Sequence, residues 1–383
     1  MLNLFAAVST VFLLLFVLFV VRRRSPIYHQ TVANVRLLLD PPDVSKEALL
    51  RSRALPNARL RAAFQLTNTF VSGDAAIHSE FVHKSLTLLR AAKQDWGRFL
   101  YVVDRAVNLA LPQSSVQFQT FIRAVTLRAI IVGVLAPDTD ITALAANDID
   151  VVAELITELW IRSKDAGHIP KDLLFSLNMH LRNLIPNHIL YPNPLDFIIP
   201  TWETLWRVVA VTVAHVYRDE EALCVFRDLR ARPTIEQFRA SGLAGRSPVV
   251  EDYINESLRL FPPVRHIKRR SSLLPRAAAA FLSSGSQTED VADIERAQRT
   301  ASWGSQPEMY EPMRFVRDPQ LAKQILAFGC GPLMCKAANW APMAAGLIVA
   351  GVVSGVDGMD YRVVRGKPIG GGREGWDGWK VEF

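Results

Sequence analysis

The stretch Phe328-Gly-Cys-Gly-Pro-Leu-Met-Cys335 limits the chain more than any other: a glycine-rich loop ends in a cysteine and leads into an uncharged, apolar run, Ala337 to Val353. Glycines let the backbone turn tightly and approach a ligand closely. A helix starting just past Cys335 would aim its positive dipole end at the sulfur and favour a thiolate. One sulfur on an open loop suits haem iron better than zinc, which would want more ligands nearby. The plain alternative is a buried cysteine that only fills space. The other loop cysteine, Cys330, matches no ligand position.

Elsewhere the apolar residues recur at helical spacing. The pattern predicts helices from Ala91 to Leu111, from Val116 to Leu135 and from Asp148 to Ser163, with Pro112 and Pro137 as breaks. The four prolines between Asn183 and Pro200 exclude a continuous helix there, so the next helix is expected to start at Thr201 and run to His215. Strand signals are confined to the region after Pro263 and the end of the chain. The expected fold is mainly α with a small β component. The net charge of +7 is spread out, clustering only at Arg22 to Arg24 and Arg265 to Arg270, and no nucleic-acid motif accompanies it. Three cysteines make no disulfide framework and fit a reducing compartment.

Three further constellations carry chemistry. Glu203 and Thr204 place an acid beside an alcohol at the expected helix start, where they suit either a proton relay or N-terminal capping. Glu256 and Arg259 lie one helical turn apart and can pair, and Arg314, in Pro312-Met-Arg-Phe315, can add a second guanidinium to the same carboxylate. Arg269 and, less so, His266 are cations on an extended segment that could hold a buried carboxylate.

Taken in order, these motifs resemble the cytochrome P-450 family. Phe328, Gly331 and Cys335 stand at the spacing of its haem-binding loop, with Leu333 where the family has arginine and Ala337 where it has glycine. Glu256-Ser-Leu-Arg259 looks like its Glu-x-x-Arg helix, and Asn68-Thr-Phe-Val-Ser72 and Val291 to Glu295 look like its fungal branch. The resemblance covers roughly residues 57–353. It implies a cytochrome P-450-like fold, haem with Cys335 as axial iron ligand, and Phe328 and Gly331 in the haem-binding loop. It also implies Arg269 and His266 as propionate contacts, Glu203 and Thr204 as the catalytic proton relay, and Glu256, Arg259 and Arg314 as a structural triad. The expected activity is insertion of one oxygen atom from O2 into a small apolar substrate of secondary metabolism, with electrons from an NADPH-dependent cytochrome P-450 reductase. The chain is shorter than membrane-anchored members. A second reading is a membrane-tethered, catalytically degenerate relative serving as a binding or scaffold protein.

Leu4 to Val21 is an uncharged run of eighteen residues followed by Arg22-Arg-Arg24. This predicts an uncleaved single-pass transmembrane anchor over residues 1–21, with the arginines and the body in the cytosol. Together with the resemblance it implies the endoplasmic reticulum membrane. Residues 22–57, rich in proline and polar residues, read as a hinge carrying one or two short helices, and residues 58–383 as the haem domain.

Overall fold

The computed structural model describes residues 26–164, 169–239, 247–272, 287–356, 360–370 and 372–383. The expected anchor, residues 1–21, lies outside them. Among the described residues the structure is mostly helical, with two small three-stranded sheets.

The centre is a bundle of four apolar helices, Trp96–Ala110, Phe118–Ile130, Leu195–Val216 and Ala341–Val356. Phe118–Leu135 and Leu195–Val216 have the length and composition to cross a membrane, yet 83% and 78% of their most apolar stretches are buried inside the protein. They are core helices. Gly351 and Gly355 bring Ala341–Val356 onto Trp96–Ala110: a Cβ at these positions would meet Val103 at 2.5 Å and Val107 at 2.6 Å. Only a missing side chain allows that spacing.

The helix expected from Ala91 to Leu111 is two helices, Ala75–Lys93 and Trp96–Ala110. Asp95 makes the break by accepting the Arg98 N–H at 2.7 Å as an N-cap. The helix expected from Thr201 begins six residues earlier and runs through Pro200. Proline removes the N–H that would bond the Asp196 carbonyl. Asn68 Nδ2 donates to that carbonyl instead, at 2.9 Å, while the Asp196 carboxylate accepts the backbone N–H groups of Thr67 and Asn68. A distant loop thus supplies the missing donor.

The first sheet holds β1 (Ile27–His29), β3 (His266–Ser272) and β4 (Gln287–Asp293) in the order β1-β4-β3, with β1 parallel and β3 antiparallel to β4. The second holds β2 (Ser115–Gln117), β5 (Arg362–Val364) and β6 (Lys380–Glu382), all antiparallel. The hinge expected over residues 22–57 is corrected from residue 26 onward. β1 is paired into the sheet, and helices Val32–Leu39 and Lys46–Ala54 bury Val35, Leu39, Leu49 and Leu50. Apolar burial outweighs the prolines that suggested a linker. The C-terminal segment is anchored by Trp376 and Trp379, both buried against Phe118.

Candidate active site

The Phe328–Cys335 loop folds as its glycines require. Gly329 and Gly331 both adopt φ +69°, and a Cβ on Gly331 would sit 2.6 Å from Asp40. The Cys335 N–H donates to the Phe328 carbonyl at 2.9 Å and closes the loop. The helix beyond begins at Ala341, not directly after the cysteine, so its dipole end is not what faces the sulfur. The Ala337 N–H and Lys336 favour the thiolate, but burial outweighs them and raises the Cys335 thiol above its ordinary value. The sulfur is surrounded by protein and still accessible, because its open side faces an internal cavity.

That cavity has a volume of about 1520 Å³, and it brings together Phe328, Cys335, Arg269, His266, Glu203 and Thr204, residues far apart in the sequence. Pockets for a single small ligand usually fall between ~300 and 1,000 Å³, so this one has room for a cofactor and a substrate together. Gly331 lies behind the wall, packed on Asp40. Among the described residues no cluster of three or more His, Cys, Asp or Glu is placed to hold a metal ion, and both loop cysteines, Cys330 and Cys335, line the cavity.

Haem carboxylates need buried cations, and the cavity provides them. Arg269 on β3 is buried, its Nε has no hydrogen-bond partner, and desolvation brings it down to about 10. Arg53 is buried as well, with an orphaned Nε, and is brought to about 10 by desolvation and by Arg269. Two uncompensated guanidinia near each other, with no carboxylate between them, fit an anionic group that enters with a cofactor. Arg53 also donates to the Thr69 carbonyl, and the Thr69 hydroxyl contacts His78 Nδ1 at 2.8 Å. His266 differs from Arg269. It is half-exposed and lies 3.6 Å from Asp293, so its partner is an internal acid and not a cofactor.

Sequence reasoning missed Arg53 and His78. Arg53 sits in a helix beside Arg51 and looks like a solvated charge, and only the tertiary approach of β3 distinguishes it. The segment around Asn68 and His78 carries no local signal beyond its resemblance to the family.

Glu203 is two turns inside its helix, so the capping alternative does not hold. Its buried carboxylate pairs with Arg207 at 2.9 Å and with Arg373 at 2.5 Å, the latter arriving from the C-terminal segment. Thr204 is half-buried and lines the cavity next to it. The other expected ion cluster forms completely. Glu256 accepts Arg259 at 2.7 Å and Arg314 at 3.0 Å, and all three side chains are buried. The remaining guanidinium N–H groups are taken up by the carbonyls of Trp303, Pro307 and Met309, among others.

No protein-family model and no curated protein matches the chain by sequence. Solved structures match its fold. A cytochrome P450 of Streptomyces coelicolor A3(2), CYP154A1, superposes with TM-score 0.58 at 16% identity, over 92% of this chain and 90% of that one. A six-coordinated cytochrome P450 of Thermus thermophilus gives 0.58 at 13% identity, over 93% and 92%. P450BioI, solved with an acyl carrier protein carrying hexadec-9Z-enoic acid, gives 0.56 at 14% identity, over 93% and 91%. The chain therefore has the cytochrome P450 fold. It spans nearly the whole length of these neighbours, so the shortness expected against membrane-anchored members does not extend to them.

Proposed function

We propose that the chain is a haem-thiolate monooxygenase that inserts one oxygen atom from O2 into an apolar substrate. The observation that carries this is Cys335, whose sulfur opens from a glycine-shaped loop into a cavity that also holds two buried arginines, Arg53 and Arg269, whose Nε groups have no partner among the described residues. Cys335 would be the axial ligand, and Arg53 and Arg269 would hold the propionates. Bound there, haem would supply one-electron and dioxygen chemistry at iron, with the thiolate pushing electron density toward O–O cleavage. The protein's own part is positional. Phe328 and Gly331 fix the loop, Arg53 and Arg269 would neutralise the cofactor's carboxylates, and Thr204 would hand protons inward along the cavity wall, with Glu203 joining only if one of its two arginines releases it.

Electrons would come from an NADPH-dependent reductase, and the uncharged run Leu4 to Val21 supports an anchor in the endoplasmic reticulum membrane with the body in the cytosol. The fungal look of Asn68 to Ser72 and Val291 to Glu295 supports a role in secondary metabolism.

The test is the absorbance of the reduced, carbon-monoxide-treated protein, for the wild type and for Cys335→Ala. A thiolate-type Soret band that is lost in the variant is expected. Protein purified without haem absorbance after expression with ample haem would overturn the oxygenase reading and favour a binding or scaffold role. A band unchanged in Cys335→Ala would overturn the ligand assignment.

A further inference from the structure

The loop between helices Ala58–Phe64 and Ala75–Lys93 meets two separate parts of the cavity with neighbouring residues. One part is the long helix Leu195–Val216, which Pro200 deprives of a backbone donor. Asn68 Nδ2 replaces that donor on the Asp196 carbonyl, and the Asp196 carboxylate accepts the Thr67 and Asn68 N–H groups and, at 2.6 Å, the Thr67 hydroxyl. Asn193 draws in the start of the same loop by donating to the carbonyls of Phe64 and Gln65. An ordinary helical turn is closed from within, but this one is closed by a residue 128 positions away. The next turn carries Thr201 and Thr204 in the cavity wall.

The other part is Arg53. Its Nη2 donates to the carbonyl and the hydroxyl of Thr69, the residue after Asn68. Its guanidinium also lies 5.4 Å from the Phe70 ring centroid, Phe70 meets Phe81 edge-on, and Phe81 stacks on Phe197 of the long helix at 5.4 Å. A hydrogen-bonded route and a stacked route thus join the same two places. Asn68 is only 4% exposed, which leaves water little access to replace its bond.

We infer that this loop couples Arg53 to Thr204. Asn68 is a positioning residue that closes the helix at Pro200, and a carboxylate held by Arg53 firms that closure through Thr69. The element with two arrangements is the Pro200 turn, closed when the loop is docked and open when it is not. The inference rests on the proposed function only for what Arg53 binds; the positioning itself needs no cofactor.

Hydrogen exchange of the full-length purified protein without haem, read by mass spectrometry on peptides covering Thr201 to Thr204, tests it. Asn68→Ala should speed exchange there about tenfold, as expected for one buried hydrogen bond lost. In a Pro200→Ala background, which restores the backbone donor, the same change should alter exchange less than about twofold. Equal acceleration in both backgrounds would mean that Asn68 only holds its own loop together, and would overturn the inference. If Asn68→Ala does not fold, the milder Thr67→Val should still speed exchange about threefold, again only while Pro200 is present. Arg53→Met should speed exchange at the same peptides about threefold, and Arg51→Met, exposed on the same helix, should leave it unchanged. No effect from Arg53→Met, or an equal one from Arg51→Met, would overturn the coupling. By reciprocity, Asn68→Ala should raise the haem concentration for half-saturation about threefold, and an unchanged value would also overturn the coupling. Protein that takes up no haem but shows the exchange pattern sinks only the oxygenase reading, and haem-loaded protein without the pattern sinks only this inference.

Discussion

Two buried carboxylates among the described residues are each clasped by two arginines, and they do different work. Glu256, with Arg259 and Arg314, is closed off: the carboxylate is buried, both guanidinia are bonded to it, and their other N–H groups end on backbone carbonyls or, for Arg314, also on Glu311. Glu203, with Arg207 and Arg373, is buried to the same degree but borders the cavity. A buried ion cluster contributes rigidity when every group is satisfied within the protein. One that borders a cavity stays within reach of whatever the cavity holds. The arginine count is the same; closure is what differs.

The comparison breaks most visibly at the carboxylates. Glu256→Ala strands two arginines with no route to water and should lower the unfolding free energy by about 3–5 kcal/mol. Glu203→Ala should lower it by roughly half of that or less, because water in the cavity can reach the freed guanidinia. Urea denaturation of both variants measures this, and equal losses would erase the distinction. Next come the guanidinia. Arg314→Lys gives up several hydrogen bonds that an ammonium cannot replace and should lose about 2 kcal/mol, and Arg373→Lys under about 1 kcal/mol, by the same measurement.

A third pair of cations, Arg53 and Arg269, sharpens the contrast because it has no carboxylate at all. Arg269→Met should raise the haem concentration for half-saturation about tenfold while leaving haem-free stability unchanged or higher, since it removes an uncompensated charge. Haem titration followed by thermal melting separates the two effects. A pH-dependent effect concerns His78, which burial, then Lys46 and Arg53, hold down to about 4 against an ordinary 6.5. The unfolded chain takes up this proton near 6.5 and the folded one only near 4, so its contribution is full above 6.5 and is lost as pH falls through that window. The loss should be roughly 1 kcal/mol, moderated because the ring borders the cavity. His78→Gln should flatten the melting temperature between pH 6.5 and 4 relative to wild type.

What could be read from the sequence follows the same division. Glu256 and Arg259 are one helical turn apart, and Arg314 belongs to a recognisable short string, so the sealed cluster was legible. The cysteine loop was legible because its glycines are a local requirement of the turn. Arg373 was not: it reaches Glu203 across 170 residues from a glycine-rich tail that looks irregular. Nor was the helix through Pro200, because the local rule stops a helix at proline and the compensating donor, Asn68, sits in another part of the chain. Arg53 needed the approach of β3 to become more than a surface charge. In the N-terminal hinge the two short helices were legible, but the full burial of Val35 and Leu50 was not, because the strands they pack on, β4 and β3, lie far along the chain.

β1 is the first described element of the chain, and its three residues lie at the outer edge of their sheet, parallel to β4. A pull applied to the chain ahead of residue 26 would load those few backbone rungs before it reached the bundle. The edge strand is tied at three register positions where β3 is tied at seven, so it is the part of its sheet with the fewest backbone bonds to lose.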